Sequence, residues 1–178
     1  MERPDTRRKD TMRTLTGFML ALLFAPLLAA QGTAFDGPQV TDLSVLDRQW
    51  MLQQRQLVED LARSHLGRSF SGDRDRDLDT LQALLDRGLV RPDQTRELQA
   101  MGVIMGELFA AELGLHWVVY EDAVGRSRAL RDGATDNYLF PMTMIARYRE
   151  VGNKTPVAAI YARGRDIVLG SRPPAPYR

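Results

Sequence analysis

The sequence predicts an α+β domain: three N-terminal helices are followed by a small antiparallel sheet with one or two C-terminal helices packed on it. Two observations predict this order. Apolar residues recur at helical spacing over residues 46–113, whereas residues 115–120 are β-branched or aromatic. The chain has 178 residues, 44% of them hydrophobic, and is therefore long enough to bury one ordinary core.

Residues 1–34 have the three parts of a secretory signal peptide. A basic segment ending at Arg13 precedes an uncharged apolar run over residues 17–30, and residues 32–34 are small. We therefore expect cleavage near Ala34 and export to the periplasm, with no membrane span after cleavage. The alternative is an uncleaved anchor in the inner membrane, although the run is shorter than the ~20 residues that span a bilayer. A start at Met12 would give a more compact leader.

Charge and cysteine usage exclude several classes of function. Five of the 24 basic residues and three of the 23 acidic residues lie in the leader, so the remaining chain is about neutral and nucleic acid is not an expected partner. The chain has no cysteine. This absence excludes thiolate nucleophiles, zinc–thiolate sites, iron–sulfur clusters and lipid attachment at a processed cysteine.

Helix signals divide the first part of the mature chain. We predict a linker over residues 35–41, and then a helix that Asp42 or Ser44 caps and Gly67 ends. Leucines at helical spacing mark a second helix that ends near Gly88.

The third helix is predicted over residues 94–113, with Gly114 as its end. Gly102 and Gly106 lie one turn apart within it, and each costs ~1 kcal/mol of helix propensity. We therefore expect another element to approach the helix closely at these two positions.

The pattern then changes to strands. Residues 115–120 are apolar on both faces and predict a central strand, followed by strands at 127–131 and 137–140. Pro141 is suited to begin a short helix that ends near Gly152.

The last element is ambiguous, because the apolar residues within 157–168 fit a helix or a strand, and we favour a helix. A single domain is expected over residues 42–170, followed by a proline-rich mobile tail over 171–178.

Aspartates alternate over residues 73–79, as they do at the start of a calcium-binding loop. The comparison fails because the sixth and twelfth positions, which require Gly and Glu, are Leu78 and Leu84. A solvated helix N-terminus explains the aspartates better, and we predict no metal site. The sequence also has no catalytic serine, zinc-protease or phosphate-loop motif, so we predict no catalytic residue and no cofactor.

Four residues are the candidate binding residues: His116, Glu121, Asp122 and Arg147. His116 lies in the apolar strand, where we expect a buried, hydrogen-bonded imidazole, with a general base as the alternative. Glu121 and Asp122 close that strand, and Glu121 lies on the face opposite to His116. Arg147 belongs to an arginine-rich helix end that could meet an acidic partner, although cations are also favourable at a helix C-terminus without any function.

Several of these segments together resemble a known family. They are Gly106-Glu107, residues 113–119, Glu121-Asp122 with Gly125, Phe140-Pro141 through Ile145, and Arg147 with residues 150–152. Over about residues 75–165 this set resembles the bacterial domain-of-unknown-function family 3806, in an exported, pseudomonad-type member. The resemblance implies a Gram-negative source and an α+β fold, and it carries no activity or catalytic residue.

Export and the lack of a convergent polar constellation favour a non-enzymatic periplasmic binding or interaction protein. Its expected partner is an unknown protein or small ligand of the cell envelope. One alternative is a hydrolase-like envelope enzyme with a dispersed site that includes His116, Glu121 and Arg147. Another is an inhibitor or immunity-type protein that blocks a toxin.

Overall fold

A computed structural model describes residues 37–172. Within this range the chain forms five helices and four strands. In chain order they are β1 (Gln39–Asp42), α1 (Val45–Leu66), α2 (Arg74–Asp86), α3 (Thr95–Leu113), β2 (His116–Asp122), β3 (Gly125–Arg131), β4 (Tyr138–Leu139), α4 (Pro141–Glu150) and α5 (Val157–Ser171). No helix in the described part is long and apolar enough to cross a membrane. The predicted leader and the end of the predicted tail, residues 173–178, lie outside it.

The four strands form one antiparallel sheet in the order β1-β2-β3-β4, which confirms the α+β class. Strand β2 is central, as its two apolar faces predicted, and pairs with β1 and β3. The sequence-based prediction of a linker over residues 35–41 is wrong from Gln39 onward, because β1 lies there, before the three helices. This short strand forms by pairing with the open edge of β2, opposite Val118–Glu121, and its own four residues carry no strong alternation.

Helix α1 begins and ends as its local signals predicted. The Ser44 side chain caps the helix by accepting the backbone N–H of Asp47, whose carboxylate accepts the backbone N–H of Ser44 in return. At the other end Gly67 has φ 63°, a left-handed conformation that glycine adopts without steric cost.

Helix α3 lies at the centre of the core and is buried on almost every side. A Cβ atom at Gly102 would lie 2.5 Å from the Cα of Met142, and one at Gly106 would lie 2.3 Å from the ring of Trp117. The expected close approach is therefore confirmed: α4 packs on Gly102, and a β2 side chain packs on Gly106.

The two C-terminal helices complete the core. Pro141 is the first residue of α4, and the ambiguous segment after Pro156 is a helix, as we favoured. Its buried residues Val157, Ile160, Tyr161, Gly164 and Val168 recur at helical spacing. The ring of Tyr161 stacks on Phe109 of α3 with 4.1 Å between ring centroids.

Candidate functional site

Two adjoining clefts of about 270 and 300 Å³ share four lining residues, Arg126, Ser127, Phe140 and Arg147. Because of this overlap we treat them as one groove, which draws residues from α1, α3, β2, β3 and α4. We call it the arginine groove, and its principal lining residues are Trp50, Tyr120, Arg126, Arg128, Phe140 and Arg147.

A buried carboxylate on α1 holds two of the arginines. The carboxylate of Asp47 accepts two hydrogen bonds from Arg126 Nη2, at 2.8 and 3.0 Å. It also accepts one from Arg128 Nη2 at 2.8 Å and one from Arg128 Nε at 3.1 Å. The Asp47 side chain is 3% exposed, and the Arg126 hydrogen bond, with help from Ser44, holds its pKa well below the usual range. Asp47 is therefore ionised at neutral pH and fixes both guanidinium groups.

Aromatic rings complete the walls of the groove. The guanidinium carbon of Arg128 lies 4.1 Å from the ring centroid of Trp50, so this side chain is held between a carboxylate and an aromatic face. The ring of Phe140 meets Tyr120 edge to face, with 5.4 Å between ring centroids. The groove thus offers flat apolar surface beside its cations.

Arginines outnumber carboxylates among the lining residues of the groove by three to one, although Asp47 behind it offsets part of the charge of Arg126 and Arg128. Among the described residues that line its 270 Å³ part there are three arginines and no carboxylate. The other part includes Asp122, but the carboxylate of Asp122 already accepts the backbone N–H groups of Val124 and Gly125 in the β2–β3 turn. Guanidinium groups stay protonated at neutral pH, so this arrangement is suited to bind an anion and not to transfer protons.

The structure brings together two of the four residues selected from the sequence, because Asp122 and Arg147 both line the groove. His116 lies at the other end of β2, roughly 20 Å from Asp122 by strand rise. Its expected burial is wrong: the side chain is exposed, because β2 begins at His116 and its cross-strand neighbour is the partly exposed Arg131. Glu121 is exposed and lines neither cleft, but it lies directly across from Arg126 on the same face of the sheet and attracts that guanidinium group.

Sequence reasoning missed Asp47, Trp50, Arg126 and Arg128. The only local signal was the capping box that begins at Ser44, and it explains Asp47 as a helix start without indicating its arginine partners.

A different cleft, of about 310 Å³, contains a half-buried carboxyl group on α3. Burial raises the pKa of Glu107 despite its ion pair with Arg55, and nearby Asp77 adds to this rise. Asp77 itself is buried and accepts the backbone N–H groups of Ser71 and Gly72.

Two of the alternating aspartates near this cleft have structural contacts within the described chain. Asp73 caps α2, and Asp77 holds the preceding loop. Among residues 37–172, no group of three or more His, Cys, Asp or Glu side chains is arranged to hold a metal ion.

Comparisons with known proteins find a similar family model and a similar fold. Residues 77–161 match the model of the family described as "Domain of unknown function (DUF3806)". A crystal structure from Bacteroides thetaiotaomicron VPI-5482 has a similar fold, with a TM-score of 0.67 and 18% sequence identity. The match covers 75% of this chain and 49% of the Bacteroides chain, so this chain spans about half the length of the Bacteroides chain.

No curated protein sequence matches the chain. The segment that the family model matches contains Arg126, Arg128 and Arg147 but begins after α1, and so excludes Asp47 and Trp50. The resemblance inferred from the sequence is confirmed: over residues 77–161 the chain is similar to the domain family DUF3806.

Proposed function

We propose that this chain is an exported, non-enzymatic binding domain whose arginine groove holds an acidic segment of a partner protein in the cell envelope. One observation carries the proposal: Arg126, Arg128 and Arg147 converge on one groove, and Asp47 lies behind two of them. Fixed guanidinium groups lose little entropy when they bind a carboxylate, and arginine is suited to bidentate contacts with it.

The shape and lining of the groove favour a protein segment over a compact ligand. Its two clefts share four lining residues, so one extended segment could contact both. Arginine and aromatic residues are the types most enriched at protein interfaces. Val124 lines one part of the groove with 96% of its surface exposed, and such an apolar group gains from contact with a partner.

Export is the second part of the proposal and rests on the leader. The basic segment, apolar run and small residues before Phe35 favour release of the chain into the periplasm. An inhibitor or immunity role would use the same groove, with a toxin as the acidic partner.

The test measures binding of a short fluorescein-labelled peptide, rich in glutamate with a central phenylalanine, by fluorescence anisotropy at low ionic strength. Arg147→Gln should weaken the affinity about fivefold, since it removes one exposed cation from the groove. The matched control is Arg68→Gln, which removes an exposed arginine just after α1 that lines neither cleft of the groove. Equal affinity of both variants for the peptide would overturn the proposal.

A second candidate function is an envelope hydrolase, and Glu107 is the observation that favours it. A carboxyl group whose pKa is raised by burial in a cleft is suited to act as a general acid. The check is a panel of chromogenic esters and glycosides, assayed with wild type and with Glu107→Gln. Turnover that disappears in the variant supports this candidate, and equal background in both proteins rules it out for these substrates.

A further inference from the structure

A cavity of about 320 Å³ lies where the C-terminal part of α2, the α2–α3 loop and the α4–α5 loop meet. Its charged lining residues are Asp86, Arg91, Arg149 and Lys154. The cavity shares no lining residue with the arginine groove, so it is a separate feature of the molecule.

Arg149 is the unusual residue of this cavity because its side chain is buried, with 7% exposure. Its Nη1 donates to the backbone carbonyl of Asn153 at 2.9 Å, and its Nη2 donates to that of Thr155 at 3.0 Å. Its Nε is also buried and has no hydrogen-bond acceptor among the described residues.

The positive charge of Arg149 is therefore poorly compensated. Neutral carbonyl groups satisfy two of its donors, and Asp86 attracts it only through longer-range electrostatics. Burial lowers the pKa of Arg149, as expected for a cation that has lost water without gaining an ion pair. A buried charge of this kind is costly unless an anion approaches it.

The rest of the lining indicates which anion fits. Arg91 and Lys154 are exposed and add two cations at the cavity, of which Arg91 is paired with Asp93 at 3.2 Å. Leu85, Val90 and Pro92 give it an apolar side, which suits a ligand with a hydrocarbon part. Asp86 opposes a second negative charge on the ligand.

We propose that this cavity binds a small organic monocarboxylate, with its carboxylate near Arg149, Arg91 and Lys154 and its hydrocarbon part on the apolar side. This proposal does not depend on the one made for the arginine groove, because the two sites share no lining residue.

The experiment titrates nitrogen-15-labelled protein with butyrate and follows backbone amide shifts by NMR. Butyrate should shift the amides of residues 86–91 and 149–154 in a saturable way. Butanamide, which has nearly the same shape without the charge, should shift them much less. Saturable shifts of equal size with butanamide, or no saturable shifts with butyrate, would overturn the proposal.

Variants at the exposed residues avoid disturbing the buried guanidinium. Lys154→Gln should weaken butyrate binding about fivefold, because it removes one of the cavity's cations. Arg68→Gln removes an exposed cation just after α1 that does not line the cavity, and should leave butyrate binding unchanged. Equal butyrate affinity in the two variants would contradict the assignment of the carboxylate to this cavity.

Discussion

At the residue scale, Asp47 has two structural tasks. Its carboxylate closes the capping box of α1 and also receives the guanidinium groups of Arg126 and Arg128 from β3. Burying a carboxylate in this way has a desolvation cost in free energy. The ion pairs with the two arginines offset that cost only while both partners stay in place. The same side chain therefore joins the first helix to the sheet and shapes one wall of the arginine groove.

Replacing Asp47 with Asn should lower the free energy of unfolding by about 3 kcal/mol, because it leaves two arginines without their buried counter-charge. Urea denaturation measures the change. Asp60→Asn on the same helix is the matched control, since Asp60 is exposed and should change stability by less than about 0.5 kcal/mol. A similar small effect at both positions would show that the Asp47 cluster contributes little.

The low pKa of Asp47 also predicts a pH dependence. Its folded-state pKa lies below the unfolded value of about 3.9, so its contribution is fully present above about pH 5. The contribution falls as pH decreases below the unfolded value, because the unfolded state then binds the proton more readily than the folded state. The stability difference between wild type and Asp47→Asn should therefore shrink between pH 5 and about pH 2 in urea titrations. A constant difference over that range would contradict the low pKa.

At the element scale, the parts of the fold that could be predicted have local causes. Ser44, Gly67, Gly114 and Pro141 each act within one helical turn, and each lies at the helix end that its chemistry indicates. Strand β1 has no such signal, because it forms only by pairing with β2.

The arginine groove could not be predicted either, because it also depends on contacts between residues far apart in the sequence. Asp47 is 79 residues from Arg126 and 81 from Arg128, so only the tertiary fold brings them together. Arg147 could be predicted as a binding residue because it belongs to a local cluster of arginines in the sequence. Its groove neighbours Arg126 and Arg128 lie on strand β3, whose sequence has no pattern that indicates binding.

The packing of α3 gives a prediction at this scale. Gly102→Ala should destabilise the protein by about 2 kcal/mol, because its Cβ would clash with the α4 backbone at Met142. Gly170→Ala on α5 is the matched comparison. It meets no atom within 4 Å and should stabilise the protein by about 0.5 kcal/mol through helix propensity. Thermal unfolding of both variants measures the effects, and a harmless Gly102→Ala would contradict the close helix contact.

At the scale of the whole molecule, the groove needs more than the segment that the family model matches. Residues 77–161 supply β3 and α4, while Asp47 and Trp50 come from α1, which precedes that segment. Helix α1 therefore contributes residues to the proposed binding site in addition to packing on the core.

The export part of the proposal predicts a processed product. Expressed in a Gram-negative host, the chain should be recovered from the periplasm with a mass that corresponds to a start just after Ala34. Replacing Ala34 with Phe should block processing, because signal peptidase requires a small residue at this position. Unprocessed wild-type chain in the membrane fraction would instead support the N-terminal anchor.

The central claim is that the arginine groove is where an acidic partner binds. The most direct measurement maps backbone amide shifts of nitrogen-15-labelled protein on addition of the glutamate-rich peptide. The account predicts saturable shifts concentrated at residues 120–128 and 140–147, which line the groove. Saturable shifts concentrated elsewhere, or no saturable shifts at all, would contradict it.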